Sequence, residues 1–285
     1  MRNPMIPLST CRALSHCGSP KRQDGLTLVE IMVSLTLGLI VLLAVGSVYI
    51  GSRQTYRVQE DNARVQEAGK YALEVIGRSI RQAGTDSEMT FNPVAVTLDC
   101  VAPTCVAVDN NGAAGATDTI RNQFYAGREE QNGAVWGARN CIGGFVATGA
   151  LPANIVTNIF DVAADAASTA TGTGLRCSDA AGNSQTLVSN IEDLQVLYGI
   201  DTTGDQAADQ YVATPGNWAQ VVTARVCVLI QSANNVVTTP QTYLNCAGAL
   251  GTTPGSTTTA GAGDLRLHRS FVATYNLRNR INGAP

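Results

Sequence analysis

Gly25-Leu26-Thr27-Leu28-Val29-Glu30 opens an apolar run that reaches Ile50. The 20 residues from Ile31 to Ile50 carry no charge, and at about 1.5 Å per helical residue they cover roughly 30 Å, the thickness of a bilayer's hydrocarbon core. The run can therefore cross a membrane. Lys21, Arg22 and Asp24 lie just before it, with Arg2 and Arg12 further upstream. This basic flank holds the N-terminal side in the cytoplasm and turns the rest of the chain outward.

A secretory signal peptide places its small-residue cleavage site after the apolar run. Here the small residue, Gly25, comes first. A carboxylate inside an apolar membrane segment is costly, and isolated cases mark function. Glu30 therefore has two readings. It is an interfacial carboxylate favoured by the positive end of the helix dipole, or it pairs with a cation supplied by another molecule.

The chain has 285 residues, a net charge of −3 and only 14% charged residues. Residues 1–25 contribute +3, so the 260 residues after them carry −6, which argues against a nucleic-acid partner. Cys11 and Cys17 precede Gly25; Cys100, Cys105, Cys141, Cys177, Cys227 and Cys246 follow it. Six cysteines in an outward-facing domain read as disulfides, with 15 connectivities open to sequence. Loop closure favours neighbour pairing: Cys100 with Cys105, Cys141 with Cys177, Cys227 with Cys246.

Between Gly51 and Ala83, Val58, Val65, Ala72, Leu73, Ile76, Ile80 and Ala83 recur at spacings of three, four or seven and share one helical stripe. Arg53, Arg57, Glu60, Asp61, Arg64, Glu67, Lys70, Glu74 and Arg78 face elsewhere. The expectation is one helix over residues 26–83, roughly 87 Å long and ended by Gly84. The alternative is two helices broken near Gly46 or Gly51, with Gly69 and Gly77 as further weak points. Beyond residue 90 the period becomes two, and strands are expected at Val94–Leu98, Thr119–Tyr125, Leu194–Ile200, Val221–Ile230 and Leu265–Leu277. Stretches 110–117, 163–174 and 247–263 read as loops. The fold class is α+β: a membrane-spanning helix continuing into a head with an antiparallel sheet, one face buried and the other solvated.

The order of basic leader, Gly25, then Leu26-Thr27-Leu28-Val29-Glu30 and the apolar run resembles the class III signal of type IV pilins. The resemblance implies cleavage after Gly25, methylation of Leu26 at the new N-terminus, and pairing of Glu30 with a neighbouring subunit's terminal amine. Within the head, Asn122-Gln123-Phe124-Tyr125, residues 191–201, residues 221–232 and Leu277-Arg278-Asn279-Arg280 look like the PilW class of minor pilins. The implied divisions are a removed leader (1–25), a membrane and polymerisation half of the helix (26–50), an amphipathic half packing on the head (51–84), and a β-rich disulfide-containing head (85–285).

Catalytic patterns are absent from the sequence: it has no G-x-S-x-G, H-E-x-x-H, Walker loop or G-x-G-x-x-G. An enzyme is not expected. His268, on the polar face of the last strand, reads as solvated. Asp201, Asp205 and Asp209 stand at loop positions one, five and nine, and such oxygen ligands suit Ca²⁺. The EF-hand pattern is not met, and a plain acidic turn explains the same residues; no other cofactor is expected.

These readings converge on a minor subunit of a type IV pilus. It is expected as a single-pass inner-membrane protein with its head in the periplasm before assembly and on the cell surface afterwards. The expected partners are other minor and major pilins, the prepilin peptidase, the assembly platform and a tip adhesin. A pseudopilin of a type II secretion system shares the signature, and a tethered domain that never polymerises is the alternative of another class.

Overall fold

Helix α1 runs from Leu28 to Gln82 as a single element in the computed structural model, passing through Gly38, Gly46, Gly51, Gly69 and Gly77 without a break. The structure describes residues 25, 27–83, 117–127, 130–148, 154–165, 172–217 and 220–277. The expected strand at Val94–Leu98, the bridge between Cys100 and Cys105, and Gly84 lie outside them. The chain divides into two units, one ending at Ser52 and the other beginning at Arg53.

In the first unit the described residues form the start of α1. Its apolar side chains are exposed, from 46% at Ile31 to 74% at Leu28 and Leu43. Three hydroxyls inside this segment bond to carbonyls on the preceding turn: Ser34 to Ile31 (3.0 Å), Thr36 to Val33 (2.9 Å) and Ser47 to Ala44 (2.8 Å). These polar groups need no water, as an apolar solvent requires.

The second unit contains the rest of α1 and the strands β1 (Ile120–Tyr125), β2 (Glu130–Asn132), β3 (Val135–Arg139), β4 (Phe145–Ala147), β5 (Ile155–Ala164), β6 (Thr173–Ser178), β7 (Ser184–Ser189), β8 (Ile191–Ile200), β9 (Gln210–Val212), β10 (Val221–Gln231) and β11 (Thr242–Leu244), then the short helix α2 (Cys246–Leu250), β12 (Thr257–Thr259) and β13 (His268–Asn276). Two four-stranded sheets carry the core, in the orders β1-β5-β6-β7 and β13-β10-β8-β9; a β2-β3-β4 meander and a β11-β12 pair complete the described strands. Every described pairing is antiparallel.

Val65, Ala72, Leu73, Ile76, Ile80 and Ala83 of the predicted stripe are buried in one cluster with Ile120, Phe160 and Leu175 of the first large sheet and Leu194, Val196, Ala224, Val226, Val228 and Ile230 of the second. Gly69 and Gly77, read from sequence as weak points, are instead close-approach positions. A Cβ at Gly69 would overlap the Phe271 ring, and one at Gly77 the Tyr275 ring. Two aromatics of β13 thus lie directly against the helix backbone, and the Tyr275 hydroxyl donates to the Leu73 carbonyl at 2.7 Å. Asp61, assigned to the polar face, is 5% exposed; its carboxylate accepts from Asn234 Nδ2 at 3.3 and 3.4 Å.

Both large sheets are tied to each other and to α1 by buried polar groups. Ser79 Oγ donates to Asn122 Oδ1 (2.7 Å), Asn122 Nδ2 to the Ser79 carbonyl (2.9 Å) and Asn158 Nδ2 to Ser79 Oγ (3.1 Å). Asp118 accepts from Val196 N at 2.7 Å, and its own amide donates to the Leu194 carbonyl at 2.7 Å. Asn190, at φ 63°, is the single residue between β7 and β8. That left-handed conformation, which Asn tolerates better than most residues, lets the chain leave one sheet and enter the other.

The solvated second face expected for the sheet is in part covered, because residues 247–263 are not a plain loop. They contain most of α2 and all of β12, and with β11 they bury Tyr243, Cys246, Leu250 and Ala260 against Leu197, Cys227 and Leu229. The N-cap of α2 is Asn245, whose side chain accepts from Gly248 N, and Gly251 at φ 82° ends it in the left-handed region. This cover explains why β10 is buried along nearly its whole length.

Candidate assembly site

Thr27 begins α1 by accepting in two ways. Its carbonyl takes the amides of Glu30 (3.1 Å) and Ile31 (3.2 Å), and its Oγ1 takes the Glu30 amide at 3.3 Å. Thr27-Leu28-Val29-Glu30 has the spacing of a capping box, in which the hydroxyl satisfies an orphan amide and the carboxylate stands in the first turn, near the positive end of the helix. The sequence reading singled out Glu30 but overlooked Thr27; the S/T-x-x-E pattern was the signal for it. Gly25 is exposed, and among the described residues nothing lies within 4 Å of where a side chain would start. Leu26 lies outside the described residues.

Glu30 is exposed and pairs with no cation among the described residues. Around it Leu28, Val29, Ile31, Met32 and Val33 are at least 46% exposed. A single carboxylate thus stands in an apolar surface. Among the described residues α1 is the one helix long and apolar enough to cross a membrane. Such an arrangement offers one ionic contact inside a large apolar one.

The remaining candidates serve the head. Cys141 is bonded to Cys177 (Cα–Cα 6.3 Å) and Cys227 to Cys246 (5.7 Å). The first joins the turn after β3 to β6; the second fastens α2 to β10. Asp201, Asp205 and Asp209 lie in the loop between β8 and β9, and each accepts from its own set of loop donors. Asp201 accepts from the amides of Thr203 (3.1 Å), Gly204 (2.6 Å) and Gln206 (2.8 Å), Asp205 from Ala207 N (2.9 Å), and Asp209 from the amide (2.7 Å) and hydroxyl (2.6 Å) of Thr202. Burial would raise the Asp201 pKa, but its backbone donors hold it below the usual carboxylate value. Among the described residues no group of three carboxylate, His or Cys side chains converges as a metal would need. The loop is shaped by its own backbone amides.

His268, expected in solvent, is 3% exposed. The face it occupies is the one the β11–α2–β12 module covers. Its ring stacks on Tyr243 (centroids 4.5 Å, planes 6° apart), with Nδ1 3.0 Å from Glu192 and Nε2 3.4 Å from Asp264. Asp264 is also held by Arg266 at 2.7 Å, and that guanidinium keeps its carboxyl down at about 2. Burial pushes the Tyr243 phenol up to about 12, with Glu192, Asp264 and Asp193 adding to it. The cluster locks the module to the sheet.

No curated protein matches the chain. Among solved structures, a type IV-like pilin from Thermus thermophilus aligns with 14% identity and a TM-score of 0.43, over 76% of this chain and 98% of that one. Two family models match: residues 20–46 fit the prokaryotic N-terminal methylation motif, and residues 160–279 fit PilW, the type IV pilus-assembly protein W. The methylation motif lies on the apolar helix and the PilW match runs from β5 through β13, so over these two stretches the chain is similar to the type IV pilus-assembly protein W family.

Proposed function

We propose that this chain is an inner-membrane prepilin, cut after Gly25, whose mature form enters a type IV pilus through its N-terminal helix. The observation that carries the reading is Glu30: an exposed carboxylate, with no internal cation among the described residues, inside a capped apolar helix. In a bundle of such helices Glu30 pairs with the terminal amine of a neighbour's Leu26, and the apolar side chains around it exchange lipid for protein. The head, held in the periplasm until assembly, then contacts other minor and major pilins or a tip adhesin. The PilW match favours a pilus over a secretion pseudopilin. The role is structural, and the head's cysteines serve as staples.

Replacing Glu30 by Ala tests the pairing. An uncompensated charge in a low-dielectric bundle costs about 3 to 5 kcal/mol, so Glu30→Ala protein is processed and stays in the membrane yet is depleted from sheared fibres. Glu30→Asp retains part of the incorporation. Wild-type incorporation of Glu30→Ala would leave only the capping role. Gly25→Val blocks cleavage, which mass measurement of the membrane-bound chain reads directly.

A further inference from the structure

We propose that Arg53, Tyr56 and Arg57 form a collar that binds the phosphate groups of anionic phospholipids at the outward membrane surface. The proposal rests on the membrane-anchored reading above. All three side chains are exposed, Tyr56 at 66%, and at 100° per residue they fall within an arc of about 100° on α1. Neither arginine makes a hydrogen bond or ion pair among the described residues. By contrast, Arg64 pairs with Glu60 at 2.6 Å and Arg81 with Glu74 at 3.7 Å.

Charge patterning points to an anion. From Ile31 to Gln59 the chain has no acidic residue, and Arg53 and Arg57 are its only cations. They stand four apart, so their charges repel unless an anion lies between them. The nearest carboxylates are otherwise engaged: Glu60 with Arg64, and Asp61 with Asn234. In sequence the two arginines follow Ile50 by three and seven residues, which at about 1.5 Å each is roughly 5 and 10 Å, within and just past a headgroup layer of about 5 to 7.5 Å, so that Arg57 reaches back to the phosphates with its long side chain. Guanidinium groups match phosphate with paired N–H donors, and a tyrosine on the same arc suits the interface between acyl chains and water. Binding there would fix how far the helix sinks and which way the arc faces.

The test uses the full chain in vesicles of phosphatidylcholine alone and of phosphatidylcholine with phosphatidylglycerol at 3:1. Flotation shows whether protein is anchored, and native mass spectrometry after mild extraction counts each retained lipid. Wild-type protein floats with both vesicles and retains phosphatidylglycerol in preference, by about fivefold per arginine. Arg53→Gln/Arg57→Gln floats equally well and loses that preference, while Arg53→Lys/Arg57→Lys keeps part of it. Equal retention by the wild type and the glutamine variant overturns the collar and leaves the anchor intact. So does a glutamine variant with normal lipid retention and reduced fibre incorporation, which would assign the arginines to an acidic surface of another subunit. Failure of the wild type to float overturns the anchored reading and the collar with it.

Discussion

The same helix lives under two regimes. Residues 28–50 expose leucine, isoleucine and valine, whereas residues 65–80 bury a narrower stripe against two sheets. Local sequence makes both helical, and propensity does not distinguish them. What differs is how the apolar surface is satisfied: by the surroundings in the first stretch and by the chain's own strands in the second. A helix that is apolar all round needs an apolar solvent, and one that is apolar along a stripe needs a partner surface.

The largest test of that contrast compares two isoleucines. Ile76 is fully buried in the head and Ile40 is 62% exposed. Ile76→Ala should cost about 2 to 5 kcal/mol of head stability, the combined loss of burial and creation of a cavity, whereas Ile40→Ala should leave head unfolding unchanged. Thermal melts of both variants in the same detergent make the comparison. A matching loss from Ile40→Ala would mean that the first stretch is packed after all.

Disulfides sharpen it next. Reduction of Cys141–Cys177 and Cys227–Cys246, which close 36 and 19 residues, should lower the head's stability by about 2 to 5 kcal/mol per bridge without changing flotation of the chain. Alkylation before and after reduction counts the bridges. The double variant Cys227→Ser/Cys246→Ser should expose Tyr243 and His268 first, which hydrogen exchange of residues 241–260 would register.

The glycines give a smaller, sign-changing effect. Gly77→Ala forces a methyl group into the Tyr275 ring and should destabilise the head by about 1 to 3 kcal/mol. Gly46 has nothing within 4 Å of that position, so Gly46→Ala should be neutral or gain a fraction of a kcal/mol in helix propensity. Denaturant titration of the two variants decides it.

The smallest effect is the Tyr275 hydroxyl. Tyr275→Phe removes its bond to Leu73 and should cost about 1 kcal/mol. Burial pushes this phenol up to about 12, Arg81 pulling the other way and Glu74 adding to the rise. An unfolded tyrosine ionises near 10. The contribution is therefore complete below pH 10 and lost as pH rises from 10 to 12, so the difference between wild type and Tyr275→Phe should shrink across that window. A difference that stays constant to pH 12 would mean Tyr275 does not resist ionisation in the folded head.

Sequence alone determined the apolar run, the position of Gly25 and Glu30 before and within it, and the stripe from Val65 to Ala83, because each is a local pattern with a fixed period or order. It also located β1, β8, β10 and β13 to within a few residues, since period-two alternation survives wherever one face is buried. It did not locate β5 to β7, whose runs are interrupted by polar residues such as Asn158 and Thr186. The cover over the second sheet face went unread for a related reason: a stretch rich in Ala, Gly and Thr has no periodicity, and its short helix and strand exist because Cys246, Tyr243 and Leu250 find Cys227, Leu197 and Leu229 in space. His268 and Asp61 were assigned to solvent by alternation and by helical phase. Only the tertiary structure decided that both are buried, because burial of a polar side chain depends on the partners that reach it, here Glu192 and Asp264 for one and Asn234 for the other, and those lie between about 4 and 173 residues away.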